Sequence, residues 1–205
     1  MKTIGLLGGM SWESSIEYER IINREVRRRL GGVNSADLLI RSYNFAEIEA
    51  LQQTGSWDEA GALLAADAAR LEASGAQLIV LATNTMHKVA QQIEDAIAIP
   101  FLHIADATAN AVLRAGVGSV ALLGTRYTME QDFYRARLER HDLTVIVPDE
   151  PDLSLVHDVI YDELVQGRIE GASRQRYREV IGRLVRRGAG GVIAGCTEIE
   201  LLVVE

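Results

Sequence analysis

Short apolar runs alternate with longer amphipathic stretches along the whole chain, the pattern of α/β folds built on parallel sheets. Ile4-Gly5-Leu6-Leu7 reads as a buried strand that empties into a Gly8-Gly9-Met10 loop. A helix follows from about Ser11, with Tyr18, Ile22, Val26 and Leu30 four apart on one face and Glu19, Arg20, Arg27 and Arg28 on a solvated one. Leu38-Leu39-Ile40 is the second strand. Ser56-Trp57-Asp58-Glu59 fits a capping box, so a helix opens there and runs to a stop at Gly75. The next strand, Leu78-Ile79-Val80-Leu81, delivers Thr83-Asn84-Thr85 at its C-terminal end. A helix over 87–96, a strand at Phe101-Leu102-His103-Ile104 and a helix over 106–115 complete this half.

The second half repeats the programme. Val120-Ala121-Leu122-Leu123 is a strand, Gly124-Thr125 its loop, and Thr128-Met129-Glu130-Gln131 a second capping-box match. A strand over 143–147 precedes Pro148 and Pro151, which mark a loop. Helices over 152–165 and 173–187 lead to the strand Val192-Ile193-Ala194, which delivers Gly195-Cys196-Thr197-Glu198. Gly8 matches Gly124 at an offset of 116 residues, and Thr83 matches Cys196 at an offset of 113. Similar offsets with motifs in one order indicate a duplicated α/β unit.

Composition narrows the function classes. A chain of 205 residues forms one large domain or two of about half that size. A net charge of -8 argues against a nucleic-acid binder. The single cysteine, Cys196, excludes an internal disulfide framework and a multi-cysteine metal site. No run approaches the roughly 18 apolar residues of a membrane span, and no cleavage pattern follows the N-terminal apolar run. The expectation is a cytoplasmic protein with neither membrane nor nucleic-acid partner. His103, His141 and His157 share no metal-ligand spacing with carboxylates, so no metal is expected. Gly8-Gly9 lacks the G-x-G-x-x-G pattern of a dinucleotide site.

Parallel sheets carry function at the C-terminal ends of their strands. Two such units with those ends facing would set Thr83 and Cys196 on opposite walls of one cleft. Opposed proton carriers are what stereoinversion at a carbon acid needs: one removes a proton, the other returns one to the opposite face.

The segments Ile4-Gly5-Leu6-Leu7-Gly8-Gly9-Met10-Ser11, Thr83-Asn84-Thr85-Met86-His87-Lys88, Leu123-Gly124-Thr125-Arg126-Tyr127-Thr128-Met129 and Gly195-Cys196-Thr197-Glu198-Ile199 resemble the aspartate/glutamate racemase family, in the family's order. The resemblance implies two pseudo-symmetric, flavodoxin-like α/β domains with parallel sheets and an active-site cleft between them, at residues 1–100 and 101–205. It further implies a tail beyond Glu205 that returns to complete the first domain. The implied activity is cofactor-independent racemisation, without pyridoxal phosphate, of aspartate, glutamate or a related amino acid, in a possible homodimer. Family members carry a cysteine where Thr83 stands, so the resemblance implies a lopsided pair that works mainly from L to D.

Cys196 at the end of a buried strand is expected to be the base, its pKa lowered from about 8.5 by helix N-terminal amides; a lone cysteine is otherwise more often structural. Thr83 is a poor base that can pass a proton, or else simply a helix cap. Asn84, Thr85 and Thr197, with Thr125 and Thr128, are candidates to hold the substrate's α-carboxylate, although N-capping accounts equally for them. Met10 and Gln52 line the substrate by resemblance alone. Glu198 would orient Cys196 or meet the substrate ammonium. His87 and Lys88 are within reach of the cleft, though a histidine that starts a helix is more often structural. The alternatives are another enzyme of the superfamily, such as a hydantoin racemase or a decarboxylase, and a non-catalytic bilobed binder of acidic amino acids.

Overall fold

The computed structural model describes residues 1–203. The chain divides into two compact units, Met1–His103 and Ile104–Glu205. In the first, β1 (Ile4–Gly8), α1 (Trp12–Leu30), β2 (Leu38–Ser42), α2 (Phe45–Gln53), α3 (Trp57–Ala73) and β3 (Leu78–Leu81) are followed by a 3-10 turn over Thr85–Val89, then α4 (Ala90–Ala96) and β4 (Phe101–Leu102). Its four strands lie in the order β2-β1-β3-β4, every pairing parallel, with Leu6 opposite Ile40 on one side and Val80 on the other.

The second unit contains α5 (Ile104–Arg114), β5 (Ser119–Leu123), α6 (Arg126–Glu130), α7 (Asp132–Glu139), β6 (Thr144–Ile146) and α8 (Asp152–Asp162). A 3-10 turn over Leu164–Gln166, α9 (Gly171–Arg186), β7 (Gly191–Ala194) and α10 (Glu198–Leu202) complete it. Its strand order is β6-β5-β7, again all parallel. The first strand of each unit is thus flanked by that unit's second and third. The strands that end beside Thr83 and Cys196 hold equivalent places.

Continuous apolar runs suit strands covered on both faces. Along β5, Ala121 and Leu123 pack with Val156, Tyr177 and Leu184, while Val120 and Leu122 pack with Tyr134 and Leu138 on the other face. In the first unit Leu7, Ile48, Leu64, Ile79, Leu81, Met86 and Ile93 form one cluster. Each such side chain removed from water contributes roughly 1.5–3 kcal/mol.

Several local expectations are corrected. On α1 the buried residues are Ser14 and Ser15. Tyr18, Ile22 and Val26 are only half-buried, and Leu30 is exposed. The reason is Gly8, where a Cβ would stand 2.6 Å from Ser15 Oγ, so the helix approaches the sheet through small residues. Ser56 makes no side-chain cap; its hydroxyl lies 2.9 Å from that of Thr54 instead. Thr128 is not a cap but lies inside α6, whose cap is Thr125. The helix expected over 87–96 begins with a 3-10 turn, and β4 is only Phe101–Leu102 because Ile104 already starts α5. The strand over 143–147 narrows to Thr144–Ile146, and the helix over 152–165 ends at Asp162 before a 3-10 turn. The nine-residue α2 was not foreseen.

Candidate active site

In the first unit the loop after β1 is held tightly against β2. Gly9 has φ +83, and a Cβ there would meet the backbone nitrogen of Tyr43 at 2.3 Å, so only glycine fits. The Gly9 amide donates to Ser15 Oγ at 2.7 Å, and that hydroxyl donates to the Ser11 carbonyl at 3.1 Å. In the same unit Asp67 is 3% exposed and accepts from Arg41 at 3.0 Å and Arg70 at 2.6 Å. Burial acts to raise its carboxyl, but Tyr43 and the two guanidinium groups hold it below the usual range. Arg41 also lies 4.3 Å over the Tyr43 ring.

The end of β3 is fixed by the Ala82 amide donating to the Leu7 carbonyl at 2.8 Å. Thr83 follows half-buried, with Asn84 and Thr85 buried behind it. Asn84 does not cap the turn with its side chain. The Thr83 carbonyl lies 2.7 Å from His87 Nδ1. Met10 is buried in the first unit's core. Gln52, also buried, places its amide 3.2 Å from the sulfur of Met86. Lys88 sits 3.9 Å over the Trp57 ring, and burial lowers its pKa.

In the second unit the loops after β5 and β7 touch. The Gly195 amide donates to the Leu123 carbonyl at 2.6 Å, and a Cβ on Gly195 would stand 2.8 Å from that oxygen. Thr125 accepts from the Thr128 amide at 3.4 Å, and the two hydroxyls lie 3.2 Å apart. Both threonines are buried, Thr128 completely.

At the end of β7 the Cys196 thiol donates to Glu198 Oε2 at 2.9 Å, and the Thr197 hydroxyl donates to the same oxygen at 3.3 Å. Glu198 is 5% exposed. Burial first, and then the Glu198 carboxylate, push the Cys196 thiol well up; the Glu198 backbone amide opposes this weakly. The expected lowering by helix amides is therefore reversed, because burial first, and then the charged carboxylate two residues on, outweigh a partial dipole from a five-residue helix. Tyr177 of α9, donating to the Val156 carbonyl at 2.7 Å, lies behind the thiol and is raised by burial and then by Cys196.

The structure thus brings Cys196, Thr197 and Glu198 together, and Thr125 with Thr128. His103 stacks edge-on with His87, centroids 4.4 Å apart. His141 pairs with Asp106 at 3.1 Å, and His157 accepts from the Arg126 amide at 3.2 Å. Sequence reasoning missed Ser15 and Tyr177. The glycine pair before Ser15 signals a close helix, whereas nothing local marks Tyr177. Among the described residues no three His, Cys, Asp or Glu side chains converge to hold a metal, and no helix is long and apolar enough to cross a membrane.

A pair of parallel sheets with a cysteine-threonine-glutamate turn at one strand end defines a class that comparison makes specific. The chain belongs to the Asp/Glu/hydantoin racemase family, which it matches over residues 7–205. It superposes on a candidate Asp/Glu racemase from Yersinia pestis with a TM-score of 0.93 at 53% identity, covering 100% of this chain and 89% of that one. An aspartate racemase homologue from Pyrococcus horikoshii gives 0.83 at 34% identity with the same coverages. The glutamate racemase of Roseiflexus is 31% identical over 183 residues, 88% of this chain; the chain spans 63% of that protein's length.

Proposed function

We propose that this protein is a cofactor-independent racemase that converts the L-isomer of aspartate, glutamate or a related amino acid mainly to the D-isomer. The observation that carries the reading is the thiol–carboxylate pair Cys196–Glu198 at the end of β7. A thiol pushed up by burial is no base at neutral pH, but a carboxylate hydrogen-bonded to it can take its proton when substrate arrives. The thiolate then accepts the Cα proton, leaving a planar carbanion conjugated with the α-carboxylate. Thr83, at the equivalent strand end of the other repeat, passes a proton to the opposite face and is refilled from water. The proton on Glu198 returns to solvent, so each turnover exchanges one substrate proton for one from water.

The lopsidedness follows from acidity. A threonine hydroxyl delivers a proton through its hydrogen-bonding but abstracts one poorly, so kcat from the D-isomer is low. The two enantiomers have equal free energy, so kcat/KM is the same in both directions and KM for the D-isomer is low in proportion. Thr125, Thr128, Asn84, Thr85 and Thr197 are the proposed holders of the α-carboxylate, with Met10 and Gln52 behind the substrate. Family membership supports an amino-acid substrate.

The test is incubation with L- and D-aspartate and L- and D-glutamate in deuterium oxide. Deuterium should be found at Cα of the D-isomer as it forms, and in recovered L-isomer wherever Cys196 returns a proton that has exchanged through Glu198; Cys196→Ala should abolish both. Equal initial rates from the two enantiomers would remove the directional claim. Binding without any exchange would favour the bilobed binder instead.

A further inference from the structure

In an α-helical turn the carbonyl of residue 83 accepts the backbone amide of residue 87. Here the His87 amide goes to the Asn84 carbonyl at 3.1 Å, the tighter 3-10 closure. The Thr83 carbonyl is taken by the ring of the same residue, with Nδ1 at 2.7 Å. A carbonyl oxygen only accepts, so Nδ1 carries the proton and the tautomer is set by this contact. Among the described residues Thr83 makes no other hydrogen bond.

The ring has little freedom to leave. His87 is 2% exposed and His103 3%. The His103 ring lies edge-on to it and the Phe101 ring is 5.7 Å away. Phe101 and His103 stand at and just after β4, the strand paired with β3. A packed brace therefore runs from β4 through the imidazole to the backbone of Thr83.

We infer that His87 is the positioning residue for Thr83, holding the end of β3 so that the hydroxyl keeps one orientation towards the substrate. This rests on the two-base reading above. Its consequence is asymmetric: loss of the donor should harm delivery of the proton by Thr83 and leave removal of the L-proton by Cys196 intact. A residue that merely stabilises the fold would lower both.

The test compares His87→Leu, which fills the volume without a donor, with His87→Asn, whose amide nitrogen stands as many bonds from Cα as Nδ1 does. In His87→Leu, L-to-D conversion should fall at least tenfold while Cα deuterium exchange of the L-substrate stays within twofold; His87→Asn should recover most of the conversion. Equal losses of conversion and exchange, or no recovery in His87→Asn, would overturn the inference. The backbone amide resonances of Thr83 and Asn84 give a readout independent of turnover. They should broaden or split in His87→Leu and remain single in wild type and His87→Asn, and unchanged spectra in His87→Leu would also overturn it. Wild-type protein with neither exchange nor conversion would remove the functional reading instead, and the spectra alone would then decide the role of His87.

Discussion

Cys196 gives its thiol hydrogen to Glu198 across 2.9 Å, and the carboxylate that receives it is almost wholly buried. The carboxylate makes the thiol harder to ionise in the resting protein and supplies the acceptor that proton transfer needs. These two effects pull in opposite directions when the carboxylate is removed.

In Glu198→Gln the charge that holds the proton on sulfur is gone, so Cys196 should be alkylated by iodoacetamide at lower pH than in wild type. Turnover of the L-substrate at neutral pH should nevertheless fall by about a hundredfold, the scale of a lost general acid–base group. Tyr177, the titratable group packed behind the thiol, is untouched by this change. Faster alkylation together with faster turnover would show that Glu198 only restrains the thiol.

Stability should also respond to the raised thiol. An unfolded cysteine ionises near pH 8.5, while the native one keeps its proton to higher pH. Above that point the unfolded state binds fewer protons, so stability falls with rising pH, by up to about 1.4 kcal/mol per pH unit until the folded value is passed. The stability difference between wild type and Cys196→Ala, measured by urea titration, should be flat below about pH 8 and decline steadily above about pH 8.5. A flat difference throughout would contradict the raised thiol.

Asp67 is buried with its carboxylate bonded to both Arg41 and Arg70. Both arginines are well exposed, so water screens part of the pairing. Asp67→Asn should cost about 2 kcal/mol at neutral pH, between the values for surface and buried pairs. Because the folded carboxyl is depressed, this contribution is present above about pH 4 and is lost as pH falls through the folded value. Thermal melts of the two proteins should therefore converge in acid.

The strands were legible because buried parallel strands are written as apolar runs: Leu6-Leu7, Val120-Ala121-Leu122-Leu123 and Ile193-Ala194 all stand where the runs lie. The repeat was legible for the same reason, and it led to both strand-end loops. What periodicity could not convey was contact between small groups. Ser15 meets the sheet where Gly8 lacks a side chain, and Ser14 is buried beside it, so the buried part of α1 is polar. The local cap motif at Thr128 failed because the acceptor at the helix start is Thr125, which takes the amide of Thr128 itself. The acidity of Cys196 is misread because periodicity does not show how deeply the thiol is buried, and because Glu198, expected to orient it, also sets a negative charge against it.

The two strand-end turns differ in more than their central residue. Two positions beyond Cys196 stands a buried carboxylate, whereas two positions beyond Thr83 stands Thr85, also buried. A thiol installed at position 83 would arrive with a hydroxyl, and no carboxylate, at that spacing. Making the two strand ends alike is thus a two-residue change: Thr83→Cys alone would bring a thiol without the carboxylate that partners Cys196.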